Sequence, residues 1–285
     1  MHLILTVLAL LLLLSPLQAS AWGWDGHRLI CAVAETQLTP AAKKIVRQLL
    51  AEGNDLKEGV VDFPDACVWP DDVKYSTRKS TYEHHFINVP DDAALIDLDR
   101  DCAATNCIAI GVQQSLNYLQ REPDGKRDVT RRAAALRFLG HYIGDLHQPL
   151  HVGNASDWGG NKIRVSWLGA DSNLHAVWDY KMMDTMKITY PDSVDWLAAQ
   201  EPANTDGRVI DWMNQSLQLG RSHGYAHFDG SLIRSGDSLG MDYLNRSKPV
   251  LIQRLLEASA RLASLLNAIA AGERPQAFTL QAGKD

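Results

Sequence analysis

The stretch VTRRAAALRFLGHYIGDLHQPLH, from Val129 to His151, decides how the rest of the chain reads. Its apolar residues recur at helical spacing, which predicts a helix over Val129–His147 that Pro149 ends. His141 and Asp145 stand four apart in it and so share one face. His151 follows just past the proline. Further along, His175 and Asp179 repeat the four-residue spacing on a helix predicted over Leu174–Met186. Upstream, His27 sits at the start of a helix predicted over His27–Gln37. Asp71 and His85 fall in the segment Glu58–Ile96, whose Pro, Asp and aromatic content reads as long loops.

Imidazole nitrogen and carboxylate oxygen are the usual non-thiolate ligands of zinc, and a pair at i and i+4 on one helix can reach the same ion. A single His-x3-Asp pair is more often a hydrogen-bonded or ion-paired couple. Two such pairs, joined by three further histidines and another aspartate, shift the balance to metal. They offer more ligands than one zinc can use, which points to a cluster.

The remaining elements are also mostly helical. Thr39-Pro40 is an N-cap and N1 pair opening a helix to about Ala51. Helices are further predicted over Ile108–Gln120, Gly207–Leu219 and Lys248–Ala271. After Gly159-Gly160, the run Lys162–Trp167 alternates polar and apolar residues, the mark of a short strand in a small β-hairpin. With no repeat, low-complexity tract or linker, the fold class expected is mainly α, a single compact multi-helix domain.

The first 21 residues read as a removed signal peptide, with an apolar core Leu3–Leu14 and a closing Ala19-Ser20-Ala21. The n-region is atypical, holding His2 but no Lys or Arg. An uncleaved anchor is the alternative. The mature domain is then expected over 22–272 and a loose tail over 273–285, in a secreted or periplasmic protein without membrane anchor. Cys31, Cys67, Cys102 and Cys107 form an even set that suits an oxidising compartment. Four cysteines allow three pairings; Cys102 with Cys107 closes a short loop, which leaves Cys31 with Cys67. The formal charge is −6, unlike the basic surface usual for proteins that grip nucleic acid. Either the substrate is no polyanion or bound cations supply the charge.

At these residues the chain resembles the S1/P1 nuclease family. The resemblance rests on Trp22-Gly23 with Gly26-His27, on Trp69-Pro70-Asp71, and on His85-Phe86-Ile87-Asn88. It continues through the cysteine loop from Arg100 to Cys107, the run Phe138–His151, and Gly159–Ile163. It closes with Asn173-Leu174-His175 and Trp178-Asp179. Any one piece is weak, but seven in order are specific. The resemblance implies a fold of the phospholipase C/P1 nuclease type and three Zn2+. Asp71, His85, His141 and Asp145 would hold the first ion, and His151, His175 and Asp179 the second. His27, Asp145 and the free amine and carbonyl of Trp22 would hold the third. Three such ions bring +6 against the −6 of the chain, so local metal charge would hold the phosphate.

It also implies the chemistry: a zinc-bridging hydroxide oriented by Asp71 attacks phosphorus, Lys74 stabilises the charge that develops, and products carry 5′-phosphates. Lys74 stands where the family often has Arg, and it lacks the bidentate fork. Phe86 is the candidate base-stacking ring and Asn88 its polar partner, where the family can have Asp. Asn161 and Lys162 are candidates for lining the site or holding its turn. Single-stranded DNA, RNA and 3′-nucleotides are the expected substrates of a monomeric enzyme. The rival readings are a zinc-dependent phospholipase C, which typically has His-x3-Glu at the last ligand pair, and a secreted binding protein that holds metal without turnover.

Overall fold

The computed structural model describes residues 22–53, 62–102, 106–121, 124–201 and 203–275. The expected signal peptide over 1–21 and most of the expected tail lie outside them. At the N-terminus, α1 (Trp24–Thr36) and α2 (Pro40–Glu52) meet at Thr39, whose hydroxyl accepts from Ala42 N while Pro40 occupies the first turn.

Where long loops were expected, the chain makes single turns: α3 (Phe63–Ala66), α4 (Trp69–Val73), a 3-10 turn over Lys79–His85, and the strand β1 (Ile87–Val89). Local chemistry explains them. Asp62 caps α3 by accepting from Asp65 N, and Pro64 and Pro70 sit in the first turns of α3 and α4. Elements this short hold too few residues to display a period.

After α5 (Leu98–Asp101) come α6 (Ile108–Leu119) and α7 (Gly125–His147). α7 begins ahead of Val129 because its first turn is polar, with Asp128 favoured at the positive end of the helix; apolar spacing does not register such a turn. Leu136, Leu139, Ile143 and Leu146 of α7 are fully buried, and α6, α1, α2, α11 and α12 all pack on this helix. Past a 3-10 turn over Pro149–His151, β2 (Val152–Asn154) pairs in parallel with β1, setting Asn88 opposite Gly153. Sequence patterning gave no sign of this three-residue pair.

The expected hairpin forms from β3 (Arg164–Trp167) and β4 (Ala170–Asn173). The helix over 174–186 is α8 (Leu174–Ala176), a π turn over Val177–Lys181 and α9 (Met182–Met186). α10 (Val194–Ala198) and α11 (Val209–Leu219) follow, and β5 (Ser238–Leu239) joins β3 in parallel. The closing α12 (Met241–Ala270) starts ahead of the expected Lys248 and runs through Pro249. Burial of Tyr243, Leu244 and Ser247, and hydrogen bonds from Trp178 to the Tyr243 hydroxyl and from that hydroxyl to Gly224 O, hold the extra turns despite the missing N–H. Both disulfides pair as expected, Cys31 with Cys67 and Cys102 with Cys107.

Candidate metal centre

Seven elements deliver the donors to one place. α1 brings His27, α4 brings Asp71, and the 3-10 turn after it brings His85. α7 brings His141 and Asp145 one turn apart, and the turn that ends it brings His151. α8 and the π turn bring His175 and Asp179. All eight side chains are buried. π turns are frequent at functional sites, because the extra residue re-aims the side chains around it.

Three compact groups of donor atoms result: His85, His141 and Asp145; His151, His175 and Asp179; and His27, Asp71 and His141. In the first, His141 Nε2 and His85 Nδ1 each lie 3.1 Å from Asp145 Oδ2 and 2.8 Å from one another. Asp71 Oδ1 stands 3.5 Å from His141 Nε2 and 3.6 Å from His85 Nδ1. In the second, His175 Nε2 is 3.3 Å from Asp179 Oδ2 and His151 Nε2 is 3.6 Å from Asp179 Oδ1. Asp145 ties the groups together: its Oδ1 lies 3.3 Å from His27 Nε2 and 3.6 Å from His151 Nδ1.

Backbone carbonyls aim the rings. His141 Nδ1 donates to Cys67 O at 2.7 Å, His151 Nδ1 to His85 O at 2.7 Å, and His175 Nδ1 to Gly159 O at 2.6 Å. Each bond fixes the tautomer that leaves Nε2 with its lone pair toward the centre. Gln148 Nε2 donates to Asp179 Oδ1 at 2.6 Å while its carbonyl oxygen accepts from Leu150 N. Gly159 supplies its carbonyl at φ +61, a conformation other residues rarely adopt. Gly144 lets α1 approach, since a Cβ there would come within 2.9 Å of His27 Nδ1.

The electrostatics call for positive charge. Asp71, Asp145 and Asp179 are buried together, and Lys74 pairs with Asp71. Burial alone would raise the Asp71 and Asp145 carboxyls. His141 with Lys74 beside the first, and His141 with His151 beside the second, hold them well below the usual carboxylate range. Burial likewise opposes a charged His141, yet Asp145 and Asp71 push it up to about 10. Both nitrogens of His27, Nε2 of His85, Nε2 of His151 and Oδ1 of Asp145 are buried without a hydrogen bond. Buried polar atoms of this kind cost free energy unless something completes them. A nitrogen and oxygen donor set without free thiolate, in three groups, fits zinc.

The other candidates take varied places. Trp22 is fully buried, and its indole donates to Gly144 O at 2.9 Å, beside the turn of α7 that carries Asp145. Lys74 is buried with Nζ 2.6 Å from Asp71 Oδ1. Burial would lower its ammonium, but Asp71 outweighs this and holds it above its ordinary value. Phe86 is half-buried next to His85, and Asn88 is half-buried on β1. Asn161 donates to Trp158 O at 2.9 Å, holding the turn that presents Gly159. Lys162 is exposed, with Nζ on Ser156 O and 4.1 Å from the Trp158 ring centre. Of the remaining histidines, His147 is buried between Ile143 O and Arg261, and His227 pairs with Asp237 on the surface. Sequence reasoning missed Gln148 and the three aiming carbonyls. Gln148 had a signal, standing between Asp145 and His151; carbonyls carry none.

Comparison with known proteins places the chain among relatives. The family model described as S1/P1 Nuclease matches residues 22–271. Endonuclease 1 of Arabidopsis thaliana is 32% identical over 93% of this chain and 92% of its own length. Nuclease S1 of Aspergillus oryzae is 26% identical over 87% of this chain and 92% of its own. Nuclease P1 of Penicillium citrinum is 33% identical over 67% of this chain and 72% of its own.

Proposed function

The chain belongs to the S1/P1 nuclease family and is a hydrolase, and from that premise we propose that it is a secreted, monomeric trinuclear-zinc endonuclease. It cleaves single-stranded DNA and RNA to products with 5′-phosphates and removes the phosphate of 3′-nucleotides. The observation that carries this reading is the convergence of three donor groups on Asp145. We assign Asp71, His85, His141 and Asp145 to one ion, and His151, His175 and Asp179 to a second. His27 and Asp145 hold the third with the backbone of Trp22, freed when residues 1–21 are removed from the domain over 22–272.

When bound, zinc supplies Lewis acidity toward phosphate oxygens and acidifies water. The protein's own groups do the rest. Asp71, the most accessible of the three carboxylates at 7% exposure, accepts a hydrogen bond from the attacking water and aims it at phosphorus. Lys74, kept charged by Asp71, donates toward a phosphoryl oxygen as charge builds. Phe86 stacks a base, and Asn88 offers it both a donor and an acceptor. Asn161 and Lys162 hold the Gly159 turn that aims His175. An unpaired strand is preferred because the base must leave its partner to stack.

The test combines metal analysis with substrate choice. Purified enzyme should hold close to three zinc ions per chain, one for each of the three ligand sets assigned above. A chelator should abolish cleavage of single-stranded DNA, RNA and 3′-nucleotides, and added zinc should restore it. Metal without turnover would convert the protein to a binding protein, and preferential cleavage of phosphatidylcholine would reassign it to the phospholipase C reaction.

A further inference from the structure

The turn Asp157-Trp158-Gly159-Gly160 aims His175 through the Gly159 carbonyl, and its backbone is strained. Three successive residues sit in the left-handed region, Trp158 at φ +56, Gly159 at φ +61 and Gly160 at φ +82. Glycine accepts this conformation, but a bulky side chain such as that of Trp158 takes it only where the surroundings enforce it. The enforcing bonds converge on Asp157. Its Oδ1 accepts from Gly160 N at 2.6 Å and from the Tyr225 hydroxyl at 3.0 Å. The same hydroxyl accepts from Asn154 N, at the end of β2, at 3.1 Å, and Asn154 O accepts from Gly159 N at 3.1 Å. One hydroxyl, from a residue 68 positions away from Asp157, thus ties both sides of the turn. Gly153 leaves room for it, since a Cβ there would meet Gly159 Cα at 2.6 Å and the Tyr225 hydroxyl oxygen at 3.0 Å. Tyr225 is itself held in place. It is 4% exposed and follows a second π turn, Gly220–Gly224, which packs on the 3-10 turn that presents His151. Two members of one donor group, His151 and His175, therefore lean on the segment that carries Tyr225.

We propose that Tyr225 is a positioning residue for the group of His151, His175 and Asp179: its hydroxyl, through Asp157, locks the turn whose carbonyl aims His175. The inference rests on the zinc-nuclease reading and deepens it by naming a residue outside the ligand sets that sets the affinity of one of them. Tyr225 acts through the orientation of a ligand, so its loss falls on one zinc and not on the fold.

The experiment compares the zinc-loaded enzyme with Tyr225→Phe, which removes the hydroxyl and keeps the ring. Chelator titration of the variant should release one zinc per chain early, its affinity lowered about tenfold to a hundredfold as for the loss of a ligand-orienting partner, while the rest stay. Cleavage of single-stranded DNA should fall in step with that zinc and return when excess zinc is added. An unchanged release profile, or release of all the zinc together, overturns the lock. If the melting temperature of Tyr225→Phe at saturating zinc falls, Asp157→Ala decides by the same split, because the link runs through that half-buried carboxylate. Should the unsubstituted protein hold zinc but cleave no nucleic acid, the nuclease reading fails and zinc release still decides the lock. Should it hold no zinc, exchange of the His175 Nδ1 proton with water, followed by NMR, decides instead: faster exchange in Tyr225→Phe supports the lock, and equal exchange overturns it.

Discussion

Asp71 does two jobs at the residue scale, and its partners separate them. Its Oδ1 faces the nitrogens of His85 and His141 at 3.5–3.6 Å and also takes the Lys74 ammonium at 2.6 Å. Lys74 thus keeps a charge in a buried place at the edge of the donor set, where a point charge can meet a phosphoryl oxygen without ligating anything. Lys74→Ala should lower kcat by about tenfold to a thousandfold, the range for removing one transition-state donor, with zinc content intact. Unchanged turnover with full zinc would remove Lys74 from the mechanism. The residue types were legible in the sequence because histidines at helical spacing from aspartates are uncommon in an apolar stripe. The tautomers were not legible, since they depend on the carbonyls of Cys67, His85 and Gly159, which any residue carries.

Among elements, the end of α7 is the joint of the centre. One turn of that helix presents His141 and Asp145, and the turn that stops it presents His151. Between them Gln148 reaches across to Asp179 on the π turn, linking the α7 end to the segment over 174–186. Pro149 explains the stop, because it cannot continue the ladder of hydrogen bonds. Gln148→Ala should weaken zinc at the His151, His175 and Asp179 group by about tenfold to a hundredfold, as losses of ligand-orienting partners do. Chelator titration should find one zinc per chain released early while the rest stay. Simultaneous release of all the zinc would show that Gln148 acts on the fold and not on that group. The Cys31–Cys67 disulfide serves a neighbouring joint: it ties α1, which carries His27, to the segment whose Cys67 carbonyl aims His141.

For the whole molecule, the decisive quantity is charge placement. The chain is acidic, with a formal charge of −6, yet it is read as acting on a polyanion. The proposed zinc ions would resolve this by placing positive charge at the donor groups, with base stacking on Phe86 adding affinity that salt does not screen. Raising salt from 50 to 200 mM should therefore lower kcat/KM on single-stranded DNA by less than about tenfold, against about a thousandfold or more for a protein making many phosphate contacts. A steep decline would contradict metal-centred recognition. No helix among the described residues is long and apolar enough to cross a membrane. The sequence by itself determined the helical class, most of the long helices and the candidate donors, because helical periodicity and ligand chemistry are local properties. It misplaced the starts of α7 and α12 and passed over β1 and the single turns near it, where polar caps or distant packing outweigh the local pattern. Only the tertiary structure decided that donors as far apart in sequence as His27 and His151 meet around Asp145. The physical reason is that convergence comes from burying several apolar stripes against α7 at once, and no segment of the chain encodes that alone.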